Sequence, residues 1–385
     1  MSDHAAPGVD GYYRGMPAVA QQDPPPAHTG LSRRAATVLV LVVLGVLLVA
    51  AANLVQVPKV IFIPGPVYDT LGEEDGTPVV DVAGMDTYPT SGRLDFTTIR
   101  MQGGPGYPVT LWDWGAALLD PTLTVYDREL IFPEERTAEQ VREQNLELME
   151  QSQLGAAVVA LRAAGTEVPE LIKVGQVLVD APAGDALQVN DEIVRVAGTD
   201  IATGDDVRDR LQDFEPGEEV PFTLVRDGQE QEVLVPTGES EVTLEDGSTE
   251  VRTVVGVILA SDFDLPYDVT IDSGNVGGPS AGLMFALAVY DKITPGELTG
   301  GQEFAGTGAI NSAGQVGAIS GVKQKMVSAQ RSGSDFFLAP ASNCDDVRGN
   351  EPEDLVVIRV ETFDQAREAV EQAAAGEVEG LPTCG

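Results

Sequence analysis

The chain has 385 residues, 43% of them hydrophobic, and 42 glycines, a composition that fits a globular protein with many turns and room for two or three domains. Its 61 acidic residues against 23 basic ones give a formal net charge of -38, which repels nucleic-acid phosphates and sets DNA and RNA aside as partners. The simplest physical reading of that acidity is solubility.

Residues 1–34 carry Pro24-Pro25-Pro26 and scattered small or polar residues without a hydrophobic period, and read as a disordered tail. Ala35–Val55 contains no charge and as a helix reaches about 30 Å, enough to span a bilayer. Arg33 and Arg34 precede it and only Lys59 follows closely, so the tail is expected in the cytoplasm and the rest of the chain outside. A cleaved signal peptide is the rival reading, with Ala50-Ala51-Ala52 as its cleavage site. The length and late start of the run favour a retained single-pass anchor. Both cysteines, Cys344 and Cys384, fall on the outer side; a disulfide between them is expected, with two buried free thiols as the alternative.

Residues 56–165 read as a membrane-proximal β-rich segment plus a helix. The strand-like pieces are VIFIPGPVYDTLG, TPVVDVAG and RLDFTTIRM. The helix starts at a Thr137–Gln140 capping box, shows a stripe of Val141, Leu146, Met149 and Leu154, and stops at Gly165; its expected role is scaffolding.

Residues 166–238 supply short strands, the helix DDVRDRLQDF and a strand–Asp-Gly–strand hairpin. Asp180-Ala181-Pro182-Ala183, Asn190-Asp191-Glu192-Ile193-Val194 and Val196-Ala197-Gly198 resemble the core of a bacterial PDZ domain, which implies capture of extended peptides at a sheet edge. A spacer that binds nothing is the alternative. Residues 239–250 are polar and acidic, a connector or exposed hairpin, and 251–385 alternate strands and helices as an α/β domain. The fold class expected is α+β multidomain.

Within NVGGPSAGLMF, the pattern GPSAG places Ser280 between glycines, as in a serine nucleophile turn. The only histidines, His4 and His28, precede the apolar run, so no Ser–His–Asp triad is available. There is no HExxH, no His/Cys cluster and no Gly-Lys dipeptide, so zinc hydrolysis and a Walker A ATP site are set aside and no cofactor or metal is expected. The remaining base is a lysine whose pKa burial has lowered. In GVKQKMVSAQRSG an apolar arc holds Val322, Lys323, Met326, Val327 and Ala329, while Lys325 projects with Gln324, Ser328 and Ser332. Lys323 is therefore the expected base and Lys325 a solvated residue. Pro279 suits a helix start, so the backbone of Gly278, Pro279 and Ser280 is expected to hold an oxyanion. Taken alone, GPSAG is a plain turn and a lysine on an apolar edge usually snorkels.

Together, GPSAG and the VKQK helix after a TG…GQVGAISG run resemble the proteolytic domain of Lon proteases over roughly residues 250–375. That resemblance implies a Ser–Lys dyad of Ser280 and Lys323, with Thr307 supporting it, and a ring-shaped homo-oligomer. The layout of anchor, PDZ-like module and Lon-type domain resembles membrane-anchored PDZ–Lon proteins of bacteria. Lon proper carries an ATPase that this chain lacks. Asp272 reads as a solvated or structural acid. The expected function is ATP-independent serine endopeptidase activity on peptides or unfolded segments outside the membrane, with the PDZ-like module recruiting substrate. A catalytically idle scaffold for envelope proteins and a narrowly self-processing protease are the alternatives.

Overall fold

A computed structural model describes residues 32–74, 76–132, 137–243 and 249–385; the expected tail, up to residue 31, lies outside them. The chain divides into two units, Met1–Leu54 and Val55–Gly385. In the first, α1 (Arg33–Leu54) has a mean hydropathy of 2.9 over its most apolar window and no buried residue. At about 33 Å it is long and apolar enough to cross a bilayer.

The second unit opens with β1 (Gln56–Val57), β2 (Lys59–Asp69), β3 (Glu73–Glu74), β4 (Thr77–Pro78), β5 (Val80–Ala83) and β6 (Arg93–Gln102). Then come β7 (Val109–Thr110), α2 (Leu111–Ala117), β8 (Thr124–Asp127), α3 (Arg128–Ile131) and α4 (Ala138–Ala163). The middle holds β9 (Glu170–Val177), β10 (Glu192–Val196), β11 (Thr199–Asp200), α5 (Gly204–Leu211), β12 (Glu219–Arg226), β13 (Gln229–Pro236), β14 (Gly238–Thr243), β15 (Thr249–Val254) and β16 (Val257–Phe263). The last part comprises β17 (Asp268–Ile271), a 3-10 turn Pro279–Ala281, α6 (Gly282–Ile293), β18 (Glu303–Gly306), β19 (Ala309–Ile310) and β20 (Val316–Gly317). It ends with α7 (Val322–Ser332), β21 (Phe336–Pro340), α8 (Cys344–Val347), β22 (Val356–Val360) and α9 (Phe363–Ala374).

A six-stranded sheet runs in the order β22-β21-β18-β6-β2-β8. The pairings from β22 to β6 are parallel, and those of β2 with β6 and β8 antiparallel. Alternation along β21 divides its two faces: Phe336 and Leu338 join the core under α4, α6 and α9, while Phe337 and Ala339 join the core under α7 and α8. Helix α6 is buried at ten of twelve positions because its run Leu283–Val289 is apolar on every side, and the layered arrangement covers all of it. The Cys344–Cys384 disulfide is formed, tying α8 to the C-terminal end of the chain.

A second sheet, β13-β12-β10-β9-β16, encloses its own core with α5. Asp227 and Gly228 both take positive φ, 52° and 75°, which is the turn a two-residue hairpin needs between β12 and β13. Buried Asp191 is satisfied by Arg226, which donates to both carboxylate oxygens at 2.7 and 2.6 Å.

Strand pairing draws the domain boundaries differently from the sequence reading. β2, β6 and β8 are not a separate membrane-proximal segment: they complete the C-terminal domain's sheet. Conversely β16, expected in that domain, pairs with β9 and completes the middle sheet. The described part of 239–250 lies in the antiparallel pair β14–β15, and 244–248 lie outside the described residues. The middle module is thus an insertion, and its stem is the antiparallel pair Glu170↔Phe263. Arg162 at the end of α4 steadies that stem by donating to the Val168 carbonyl at 2.7 Å and lying over the Phe263 ring.

Candidate active site

Thr307 follows β18 directly, at the carboxyl end of that strand of the large sheet. β18 pairs with β6 only as far as Phe96, so beyond that point β6 keeps β2 on one side alone. The opening beside it is a cleft of about 800 Å³ lined by Thr97–Met101 of β6, the loop 275–281, residues 318–320, and Asn145 and Met149 of α4. Clefts outside the carboxyl ends of parallel strands are common ligand sites in such sheets.

Ser280, half-buried in the first turn before α6, stands at this cleft. Its Oγ accepts a hydrogen bond from the Nζ of Lys325 at 2.7 Å. The same Nζ donates to Thr307 Oγ1 at 2.8 Å, and Thr307 Oγ1 donates to the Ser280 carbonyl at 2.9 Å. Thr307 is fully buried and Lys325 is 2% exposed. Burial disfavours the ammonium form and brings the Lys325 pKa down to about 7.

The expectation for Lys323 is therefore corrected: the lysine at Ser280 is Lys325, and Lys323 is only half-buried. On α7 the positions i, i+3, i+4 and i+7 that are buried are Val322, Lys325, Met326 and Ala329. Gln324 and Ser328 of the polar stripe read as solvated are buried as well. Gln324 donates to the Thr122 carbonyl and to Thr124 Oγ1, and Ser328 donates to the Gly65 carbonyl. Polarity pointed to water, but the stripe is pressed against β2 and the chain before β8.

The oxyanion reading also changes. The Gly278 amide is taken by the Asn145 carbonyl at 2.8 Å, and Pro279 has no N–H. Of the three positions only Ser280 contributes an amide at the start of the helix, followed by Ala281. What holds this loop is α4. Asn145 fixes Gly278, and Ser152 donates to the Pro279 carbonyl at 2.9 Å. A Cβ on Gly282 would lie 2.5 Å from Ser152 Oγ, so glycine is what lets α4 approach. Gly278 has φ of 92°, with open space on its Cβ side. Asn145 and Ser152 carried no motif; the nearest signal was the capping box that starts their helix. Asp272 accepts from the Gly274 amide at 2.8 Å and shapes the turn leading into the loop.

Residues 267–374 match the model of the Lon protease (S16) C-terminal proteolytic domain, and residues 152–237 match that of a PDZ domain. Curated relatives include the Lon protease of Clostridioides difficile (strain 630), 32% identical over 159 residues, which is 36% of this chain and 20% of that protein. The Lon protease of Campylobacter concisus (strain 13826) is 33% identical over 113 residues, 27% of this chain and 14% of that protein. The chain thus spans a fifth or less of the length of these relatives. Among solved structures, the PDZ domains of SdrC-like proteins from Listeria monocytogenes and Listeria innocua are 18% and 17% identical. Each covers 23% of this chain, with 85% and 92% of their own lengths matched, at a TM-score of 0.19. The chain carries a Lon-type proteolytic domain and a PDZ domain; β16, which closes the PDZ sheet, falls between the two matched ranges.

Proposed function

We propose that this chain, with its Lon-type proteolytic domain and inserted PDZ domain, is a serine endopeptidase that works through a Ser280–Lys325 dyad. The observation that carries the reading is a buried lysine, its pKa brought to about 7, within 2.7 Å of the serine in the matched domain. Thr307 sets the direction of proton transfer. Its own proton is engaged by the Ser280 carbonyl, so it accepts from Lys325 and turns the amine's lone pair toward Ser280 Oγ. Neutral Lys325 takes the Oγ proton as Oγ attacks a peptide carbonyl. The Ser280 amide supports the oxyanion, and the ammonium returns its proton to the leaving amine. Water then attacks the acyl-enzyme with Lys325 again as base.

The free side of β6 suits a substrate chain laid down as an added strand, which selects for unfolded segments. The sequence holds no Gly-Lys dipeptide of a Walker A loop, and the cleavage proposed is ATP-independent. The PDZ domain would hold substrate tails nearby, and α1 would anchor the enzyme with its catalytic part outside the cytoplasmic membrane.

A serine-reactive fluorophosphonate tests this on the purified part from Val55 onward. Wild type and Lys323→Met are expected to label and to cleave unfolded peptide. Ser280→Ala abolishes labelling, and Lys325→Met lowers cleavage by about 10²–10⁴-fold. Equal labelling of wild type and Ser280→Ala overturns the reading and leaves a PDZ scaffold in its place.

A further inference from the structure

Both tryptophans of the chain, Trp112 and Trp114, lie in α2. Trp114 packs on the small core of Ile61, Val109 and Ala117, whereas Trp112 is 49% exposed, Leu118 62% and Leu119 87%. At 100° per residue, Leu111, Trp112 and Gly115 of α2 fall within about 100° of one another, and Leu118 and Leu119 extend the apolar surface in the turn that ends the helix. Asp113 falls outside that arc, and its carboxylate accepts from Thr110 and Gln102. The outer face of α2 is therefore apolar and uncharged.

The chain path says what covers that face. The Leu111 amide donates to the Val55 carbonyl at 2.8 Å and β7 pairs with β1, so α2 begins beside the residue that directly follows Leu54, the last of the apolar α1. Exposed tryptophan and leucine beside Val55, the residue bonded to the end of an apolar segment long enough to span a bilayer, match the interfacial layer of a bilayer. The net charge of -38 opposes attachment through anionic headgroups, which leaves apolar contact as the holding force. In the other direction the chain preceding α2 is a wall of the cleft, through Met101, Gly104 and Tyr107.

We propose that the outer face of α2 sits in the membrane interface and holds the cleft at the bilayer surface, so that its substrates are unfolded segments within reach of that surface. The statement about substrates rests on the proteolytic reading above; the seating of α2 does not.

Two measurements on the full chain in vesicles of zwitterionic phosphatidylcholine test it. With brominated acyl chains, tryptophan emission is expected to fall by about half, and Trp112→Phe to remove most of that quenching. Equal emission in brominated and plain vesicles overturns the seating, whether water or a second copy covers the face. A lipid-tethered reporter with its cleavable segment close to the lipid is expected to be cut about tenfold faster than one on a long spacer. The Trp112→Glu/Leu119→Glu double variant is expected to erase that difference while cutting free peptide at the wild-type rate. Equal cutting at both spacer lengths by the wild type overturns the substrate statement. Absence of cutting in every format, free peptide included, overturns the proteolytic reading instead, and the quenching result still decides where α2 lies.

Discussion

At the residue scale, Lys325 shows how a helix can bury a charge-bearing side chain without an apolar face announcing it. The choice between the two lysines of VKQK turned on which stripe meets protein, and an amphipathic reading favours the apolar one. Here Gln324 and Ser328 find backbone and side-chain partners across the gap, so the polar stripe goes inward and carries Lys325 with it. With a pKa near 7, cleavage is expected to rise through about pH 7 to a plateau, read as the pH dependence of kcat/KM. A midpoint near 10 would remove Lys325 as the base. The same shift has a stability sign. The folded value lies below the unfolded one, so the unfolded chain binds more protons between about pH 7 and 10.5, and stability gains as pH rises through that window. Below it the cost of burying Lys325 is fully present. Lys325→Met is therefore expected to cut about 10²–10⁴-fold more slowly yet be more stable at pH 7, by about 1–3 kcal/mol in urea denaturation, with the gap closing toward pH 10.5. Ser280 was legible from the motif around it and Thr307 from the resemblance to Lon-type domains; that Lys325 rather than Lys323 reaches Ser280 was not, because the stripe of Gln324 and Ser328 is buried too.

At the scale of elements, local signals were readable and long-range pairings were not. The Thr137–Gln140 capping box and the Asp-Gly turn act within a few residues, and both are formed as the sequence specifies. The pairing of β18 with β6 joins segments about two hundred positions apart, and no local propensity encodes such a partner. Helix α4 is the clearest case. Its sequence says only that it is a helix, but Asn145 and Ser152 hold the loop that carries Ser280. Gly282→Ala is expected to push Ser152 and Ile310 away, shift Ser280 against Lys325 and lower kcat by about 10²-fold with KM little changed. Ser152→Ala, which removes one bond to the Pro279 carbonyl, is expected to do the same more weakly. Steady-state kinetics on unfolded peptide decides; wild-type rates for Gly282→Ala would mean that α4 does not set the loop.

For the molecule as a whole, two closures define its mechanical behaviour. The disulfide spans a sequence separation of 40 and closes the far end of the proteolytic domain, worth about 4 kcal/mol on the chain-entropy model. Cys344→Ser/Cys384→Ser is expected to lower the melting temperature, and so is a reductant acting on the wild type, each leaving peptide cleavage intact at low temperature. The second closure is the stem at Glu170 and Phe263. Replacing 171–262 by a short Gly/Ser turn is expected to leave a folded domain that still cuts short peptides and loses its preference for tailed protein substrates. Circular dichroism and competition assays with the two substrate types report this. A module that enters and leaves its host at one ladder of strands can be re-cut at that seam. Recognition and chemistry can then diverge separately over evolutionary time, and a designer can give the same blade a different address by exchanging what lies beyond that single seam.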